Sequence, residues 1–250
     1  MPNPILIVCR DSETLAAKAA ELIVKSGQEA AQRHGRFTWV LSGGSTPEKT
    51  YAHLVQPERI DALEWSKVYV FFGDERIVSA DDPRSNFGMA RRALLSRVPI
   101  PTAHVFPITT SAPSAADAAE QYAADLAAFF ARPSHNMPPQ FDLILLGLGD
   151  DGHTASLFPD KPALRVDDKW TTWSTPGRLP PAVDRITLTY PVLNAAHEVL
   201  FLVAGENKAQ ALKDSFERRL PQDQCPAAGV QPVEGTLTWL ADESAARLLS

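Results

Sequence analysis

The chain repeats one pattern: a short, wholly apolar run that ends on glycine or on a charged loop, followed by a longer stretch with helical spacing. Phe37–Leu41 runs into Ser42-Gly43-Gly44-Ser45-Thr46-Pro47, Val68–Phe72 into Gly73-Asp74-Glu75-Arg76, and residues 141–146 into Gly147-Leu148-Gly149. Apolar runs without polar alternation read as strands buried on both faces, the kind found inside parallel sheets. Further strands are expected at 5–8, 186–189, 199–203 and 236–240.

Helices are expected between them. Asp11 or Ser12 can cap one whose Leu15, Ala19, Leu22 and Ile23 share a face, with a turn at Gly35. Others are placed near Glu48, with Pro47 in the first turn, from about Ser85, over 114–131, over 206–219, and at the end of the chain. Strands alternating with helices imply right-handed crossovers and a doubly wound, mainly parallel α/β fold with helices on both faces. Ligands bind such sheets at the carboxyl ends of the strands, so the loops after Leu41, Phe72 and Leu146 should converge on one crevice.

A chain of 250 residues fits one such domain, spanning 1–250. The proline-rich segments 133–139, 176–181 and 221–232 read as loops rather than linkers, and no internal repeat is present. With 44% hydrophobic and 22% charged residues the chain is neither disordered nor membranous in composition. Its net charge of −6 argues against nucleic acid as the main partner, so an anionic ligand would need a local basic pocket. Cys9 and Cys225 fit no metal or redox spacing, no signal peptide is evident, and no segment is long enough to span a membrane; a cytoplasmic protein with free thiols, and a monomer, is expected.

The Ser42–Thr46 loop offers backbone N–H groups, two hydroxyls and a helix N-terminus, a ready anion site; the plainer alternative is a strand-to-helix turn with Ser45 or Thr46 as N-cap. It is neither a Walker loop nor a dinucleotide fingerprint. Arg76 is suited to bidentate phosphate recognition, against the alternative of a salt bridge to Asp74 or Glu75, and Arg185 and Lys208 are similar candidates. His153, just past a buried strand and flanked by glycines and by Asp150 and Asp151, is a candidate general base with Asp151 as its orienting carboxylate. The Asp150, Asp151 and His153 cluster lacks the second group of ligands a dedicated metal site would need, and neither Ser45 nor Ser156 stands in a Gly-x-Ser-x-Gly elbow.

Taken in order, Leu41 to Pro47, Phe72 to Arg76, Ser85-Asn86, Leu146 to Pro159 with its Asp151-Gly152-His153 core, Arg185 to Thr189 and Gly205 to Lys208 resemble the 6-phosphogluconolactonase family over nearly the whole chain. The resemblance implies the Rossmann-like fold shared with glucosamine-6-phosphate deaminases. It also implies cofactor-free, metal-independent hydrolysis of 6-phospho-D-glucono-1,5-lactone in the oxidative pentose phosphate pathway. By the same resemblance His153 is the base, Asp151 its partner, and Ser42, Gly43, Gly44, Ser45, Thr46, Asp74, Arg76, Arg185 and Lys208 the environment of the phosphorylated sugar. Asp150 stands where many relatives carry a small residue or proline, and adds negative charge beside the base. Two alternatives stay open. A deaminase would typically follow Asp-Gly-His with an extra carboxylate, whereas this chain has Thr154-Ala155-Ser156-Leu157-Phe158; a non-catalytic sugar-phosphate regulator would have little use for an intact Asp151 and His153.

Overall fold

The computed structural model describes residues 3–131, 137–175 and 182–249. In chain order the elements are β1 (Ile5–Cys9), α1 (Ser12–His34), β2 (Phe37–Leu41), α2 (Ser45–Leu54), β3 (Val68–Phe72), β4 (Asp74–Arg76), α3 (Asn86–Ala90), α4 (Ala115–Phe129) and β5 (Leu143–Gly147). They continue with β6 (Thr171–Ser174), β7 (Arg185–Leu188), α5 (Tyr190–Ala195), β8 (Glu198–Val203), α6 (Ala209–Phe216), β9 (Thr236–Asp242) and α7 (Glu243–Ala246).

Six strands form one sheet in the order β1-β9-β8-β5-β2-β3, and every neighbouring pair is parallel. The expected α/β fold with a mainly parallel sheet is therefore present. All five residues of β2 are buried, and β3 and β8 each leave one residue partly open, which is why they read as unbroken apolar runs. The core continues into aromatic clusters, with Phe71 stacked on Phe106 and edge-on to Phe129 and Phe141, and Phe201 stacked on Trp239 at 3.9 Å.

Helix α1 starts as its sequence dictates. Asp11 is the N-cap, its carboxylate accepting from the Thr14 N–H at 2.8 Å while the Asp11 N–H donates to Thr14 Oγ1 at 3.1 Å. Its end is set by Gly35, which takes the left-handed conformation at φ 81°. Leu15, Ala19 and Ile23 are fully buried, while Leu22 stays partly exposed at the margin of that face.

Three expectations need correction. First, 73–76 is not simply a loop: Asp74–Arg76 is a strand of a second, antiparallel sheet ordered β4-β7-β6, and the 186–189 strand belongs there rather than to the main sheet. The chain changes sheets at Gly73, whose N–H donates to Leu41 O of one sheet and whose carbonyl accepts from Leu188 N of the other. Second, α2 begins at Ser45 rather than near Glu48, and neither Ser45 nor Thr46 caps it; Gly44 occupies the N-cap with no side-chain bond. Third, the helix expected over 206–219 is a short 3₁₀ turn, Glu206–Lys208, followed by α6, which stops at Phe216 before Arg218 enters positive φ. The expected loop at 176–181 and part of that at 133–139 lie outside the described residues.

At the amino ends of β2 and β5, the ladder between them begins only at Trp39 and Leu143. One residue earlier the buried carboxylate of Asp142 takes its place, accepting from the Thr38 N–H at 2.8 Å, Thr38 Oγ1 at 2.7 Å and His34 Nε2 at 2.8 Å. Asp142→Ala would leave the Thr38 N–H and hydroxyl buried without an acceptor, so a stability loss of about 2–4 kcal/mol is expected. A urea melt measures it; a midpoint within error of the parent would show that β2 and β5 do not need this carboxylate.

Candidate active site

The strand order reverses between β2 and β5. From β2 the sheet grows through β3, and from β5 through β8 and β9, so the loops leaving the carboxyl ends of β2 and β5 diverge and open a crevice. A cavity of about 180 Å³ lies there. Of the expected site residues, Ser42, Gly43, Gly44, Asp74, Arg76, His153, Arg185 and Lys208 line it. Ser45 and Thr46 line an adjoining cavity of about 170 Å³ that shares Gly43, Gly44 and Lys208. Asp151 lines neither; it stands behind His153.

His153 and Asp151 are held by the tight loop after β5. His153 Nδ1 lies 2.5 Å from Asp151 Oδ1, and the His153 N–H donates to the same oxygen at 3.1 Å. An ionised carboxylate only accepts, so Nδ1 carries a proton, and the tautomer this selects for the neutral ring leaves the lone pair on Nε2. Burial pushes the Asp151 carboxyl up, but its bonds to His153 and the charge of His153 outweigh burial and hold it below the ordinary value. Asp151 is therefore ionised at neutral pH. The His153 ring leans on Phe158, centroids 4.6 Å apart. Asp150 is exposed and does not line the cavity, so water screens the charge it brings.

Gly149 is what makes this pair fit. A Cβ there would lie 2.0 Å from His153 Nδ1 and 2.6 Å from Asp151 Oδ1. The loop is closed by Gly149 N donating to His153 O at 2.8 Å, and Gly152, at φ 80°, makes the turn.

The opposite wall is cationic. In β4 and β7, Arg76 pairs directly with Arg185, and Asp74 with Thr187, so both guanidiniums spring from one cross-strand pair. Arg185 is buried, its guanidinium stacks over Phe158 at 5.2 Å, and burial lowers its pKa. Arg76 donates through Nη1 to Arg84 O at 2.7 Å. Among the described residues, neither Arg76 Nε nor Arg185 Nε has a partner, and no salt bridge reaches Arg76, Arg185 or Lys208. The anticipated alternative of an Arg76 pair with Asp74 or Glu75 is not formed, because both carboxylates are taken by other donors. Glu75 points away from the cavity and accepts from the N–H groups of Arg76, Asn86 and Phe87 and from Ser85 Oγ.

The loop after β2 completes the site. Buried Tyr51 pins Ser42, its hydroxyl donating to Ser42 O at 2.9 Å and accepting from the Ser42 N–H at 3.1 Å. With Gly44 at φ 106° and no side-chain cap, the first N–H groups of α2 are left for a ligand. Sequence reasoning assigned no role to Asn86, Tyr51, Phe158 or Ser156. Asn86 was visible only as half of a Ser-Asn pair, and the others work through contacts that no local pattern marks. Among the described residues no three His, Cys, Asp or Glu side chains gather as a metal site, and no helix is long and apolar enough to cross a membrane.

A parallel α/β sheet with a carboxylate-paired histidine facing cations without carboxylate partners at its switch point defines a class of enzyme site. A family model described as glucosamine-6-phosphate isomerases/6-phosphogluconolactonase matches residues 10–239, and the chain belongs to that family. It is 43% identical to a protein named 6-phosphogluconolactonase from Synechocystis over 242 residues, covering 97% of each chain, and 42% identical to one from Nostoc, also covering 97% of each. The structure of 6-phosphogluconolactonase from Trypanosoma brucei superposes with a TM-score of 0.85 at 32% identity, covering 99% of both chains. Such relatives are carboxylic-ester hydrolases, and that is the class of this chain. A monomeric glucosamine-6-phosphate deaminase, 21% identical with a TM-score of 0.81, shares the fold.

Gly149→Ala should keep the fold and break the pair, since Gly149 does not need positive φ but leaves no room for a methyl group. The expected outcome is loss of the low-field imidazole N–H proton in the ¹H NMR spectrum at an unchanged far-UV circular dichroism spectrum. A retained low-field proton would show that the loop can shift to admit the methyl.

Proposed function

We propose that the chain hydrolyses 6-phospho-D-glucono-1,5-lactone to 6-phospho-D-gluconate, a step of the oxidative pentose phosphate pathway, with His153 as general base. The observation that carries this reading is the cavity itself, where an imidazole oriented by a carboxylate faces a wall of cations without carboxylate partners. Two arginines directly opposite each other repel, and an anion bound beside them removes that cost. A phosphate monoester has the charge and oxygens to take up Arg185, Arg76, Lys208 and the open N–H groups at the start of α2.

With the phosphate held there, the lactone carbonyl is presented to His153. Nε2 takes a proton from water as the water oxygen bonds to C1, giving a tetrahedral oxyanion and an imidazolium stabilised by Asp151. The oxyanion collapses, the bond from C1 to the ring oxygen breaks, and the imidazolium returns its proton to that oxygen. Cationic side chains in the same cavity favour the developing negative charge. Phosphate binding supplies orientation, so its loss should lower kcat/KM without removing the base. The deaminase reading calls for an extra carboxylate just after the Asp-Gly-His element; the next acid along the chain, Asp160, is exposed and does not line the cavity. Cys9 and Cys225 are free thiols, in keeping with a reducing, cytoplasmic setting.

Two measurements test this. In the presence of chelator, acid release from fresh 6-phosphogluconolactone should be fast for the parent protein, and His153→Ala should lower kcat by about 10²–10⁴. Near-parental turnover by the variant would remove the base assignment, and ammonia release from glucosamine 6-phosphate would replace the function. Arg185→Ala should instead act mainly through KM, lowering kcat/KM by about a hundredfold with the acid limb of the pH profile in place; a kcat loss at unchanged KM would mean that Arg185 does not hold the phosphate.

A further inference from the structure

Asp74 is the odd group in the cavity wall. A carboxylate beside a phosphate site repels the ligand, and burying one without a cation is costly. Asp74 is nonetheless buried, and neutral donors hold both of its oxygens. Ser156 Oγ donates to Oδ2 at 2.6 Å, and Asn86 Nδ2 donates to Oδ1 at 3.0 Å and to the Asp74 carbonyl at 2.9 Å. Among the described residues no Lys, Arg or His forms a salt bridge with it. Each oxygen keeps a second lone pair, and the residue lines the cavity. Such a group accepts and cannot donate, which suits hydroxyls and excludes phosphate oxygens.

The supports of this carboxylate are built in. Ser156 is fully buried, so it meets no ligand; its N–H donates to Thr187 Oγ1 at 3.2 Å, and Thr187 is the cross-strand partner of Asp74. Ser156 also lies on the segment that carries His153, so one hydroxyl ties the loop of the base to the strand of the carboxylate. On the other side the Asn86 amide is packed against the loop after β2, since a Cβ on Gly43 would fall 1.8 Å from Asn86 Oδ1. That contact fixes the amide with its N–H toward Asp74.

We infer that Asp74 is a specificity residue that accepts hydrogen bonds from the hydroxyls of the sugar chain, and that Ser156 is the positioning residue that aims its carboxylate. This rests on the sugar-phosphate reading above. It divides recognition between two chemistries: cations and open N–H groups read the phosphate, while a fixed acceptor reads the hydroxylated carbons between the phosphate and C1.

The test titrates parent, Ser156→Ala, Ser156→Thr and Asp74→Asn proteins with 6-phosphogluconate and, separately, with inorganic phosphate, alongside lactone turnover. Hydrogen bonds to a charged acceptor are strong enough that Ser156→Ala and Asp74→Asn should each weaken 6-phosphogluconate about tenfold or more. Inorganic phosphate should bind Ser156→Ala as it binds the parent, and Asp74→Asn as well or better, because a repelling charge is gone. Ser156→Thr, which keeps the hydroxyl, should restore discrimination; if its extra methyl is not accommodated, the opposite signs expected for Asp74→Asn still decide. Equal loss of both ligands, or no loss of 6-phosphogluconate, in proteins that still open the lactone overturns this inference alone. A parent protein that neither opens the lactone nor binds 6-phosphogluconate overturns the functional reading beneath it.

Discussion

Because β3 lies outside β2 on one side and β8 and β9 outside β5 on the other, no crossover covers the carboxyl ends of the two central strands. Everything else about the site follows from that opening. Two loops, 42–44 and 147–149, must turn away from each other at the same level of the sheet, and both do so on glycine. Their glycines serve different ends. Gly44 provides a positive φ at an uncapped helix start, while Gly43 and Gly149 provide absent side chains where an amide and an imidazole press close.

The second sheet brings a third wall to this opening. Alternation along β4 sends Asp74 and Arg76 to the cavity and Glu75 to the far side, where it satisfies the first N–H groups of α3. Burial pushes the Glu75 carboxyl up despite those bonds, so the anchor of α3 is itself held under strain of desolvation. One three-residue strand therefore fastens a helix and supplies an anion and a cation to the site. A chain with net charge −6 in this way shows a ligand a local surface of opposite sign, and over a cavity-sized distance well inside the Debye length the local charges prevail.

This division explains what could be read in advance. β2 and β3 were legible to the residue because burial on both faces leaves only apolar side chains, and Gly35 marked the end of α1 because a left-handed cap admits little else. β4 was not legible, since Asp-Glu-Arg carries no apolar signal and its strand character comes entirely from pairing with a segment more than a hundred residues away. The start of α2 was placed late for a related reason: helix starts are recognised by caps, and this one is left bare. At the site, His153 and Asp151 stood out because both partners lie in one short loop. The Ser156–Asp74 contact could not, because it spans 82 positions; Asp74 entered only with the family resemblance, and Ser156 carried no role.

The cost of such a site shows why its polar groups are so thoroughly tied. Asp74, Glu75, Arg185 and Asn86 are all buried at one end of the sheet, and each would destabilise the fold if left without partners. The carboxylates and the amide are satisfied internally by hydroxyls, amides and backbone N–H groups, which leaves Arg76 Nε and Arg185 Nε as the unmet demand among the described residues. A site that satisfies its buried carboxylates with neutral donors and leaves buried Arg185 and half-buried Arg76 without a carboxylate is suited to completion by an anion. The same arrangement sets His153 beside that demand rather than within it, since the Phe158 ring packs against both the His153 imidazole and the Arg185 guanidinium. In the proposed reaction this separation lets the imidazole exchange a proton beside Asp151 while the guanidiniums hold the substrate phosphate.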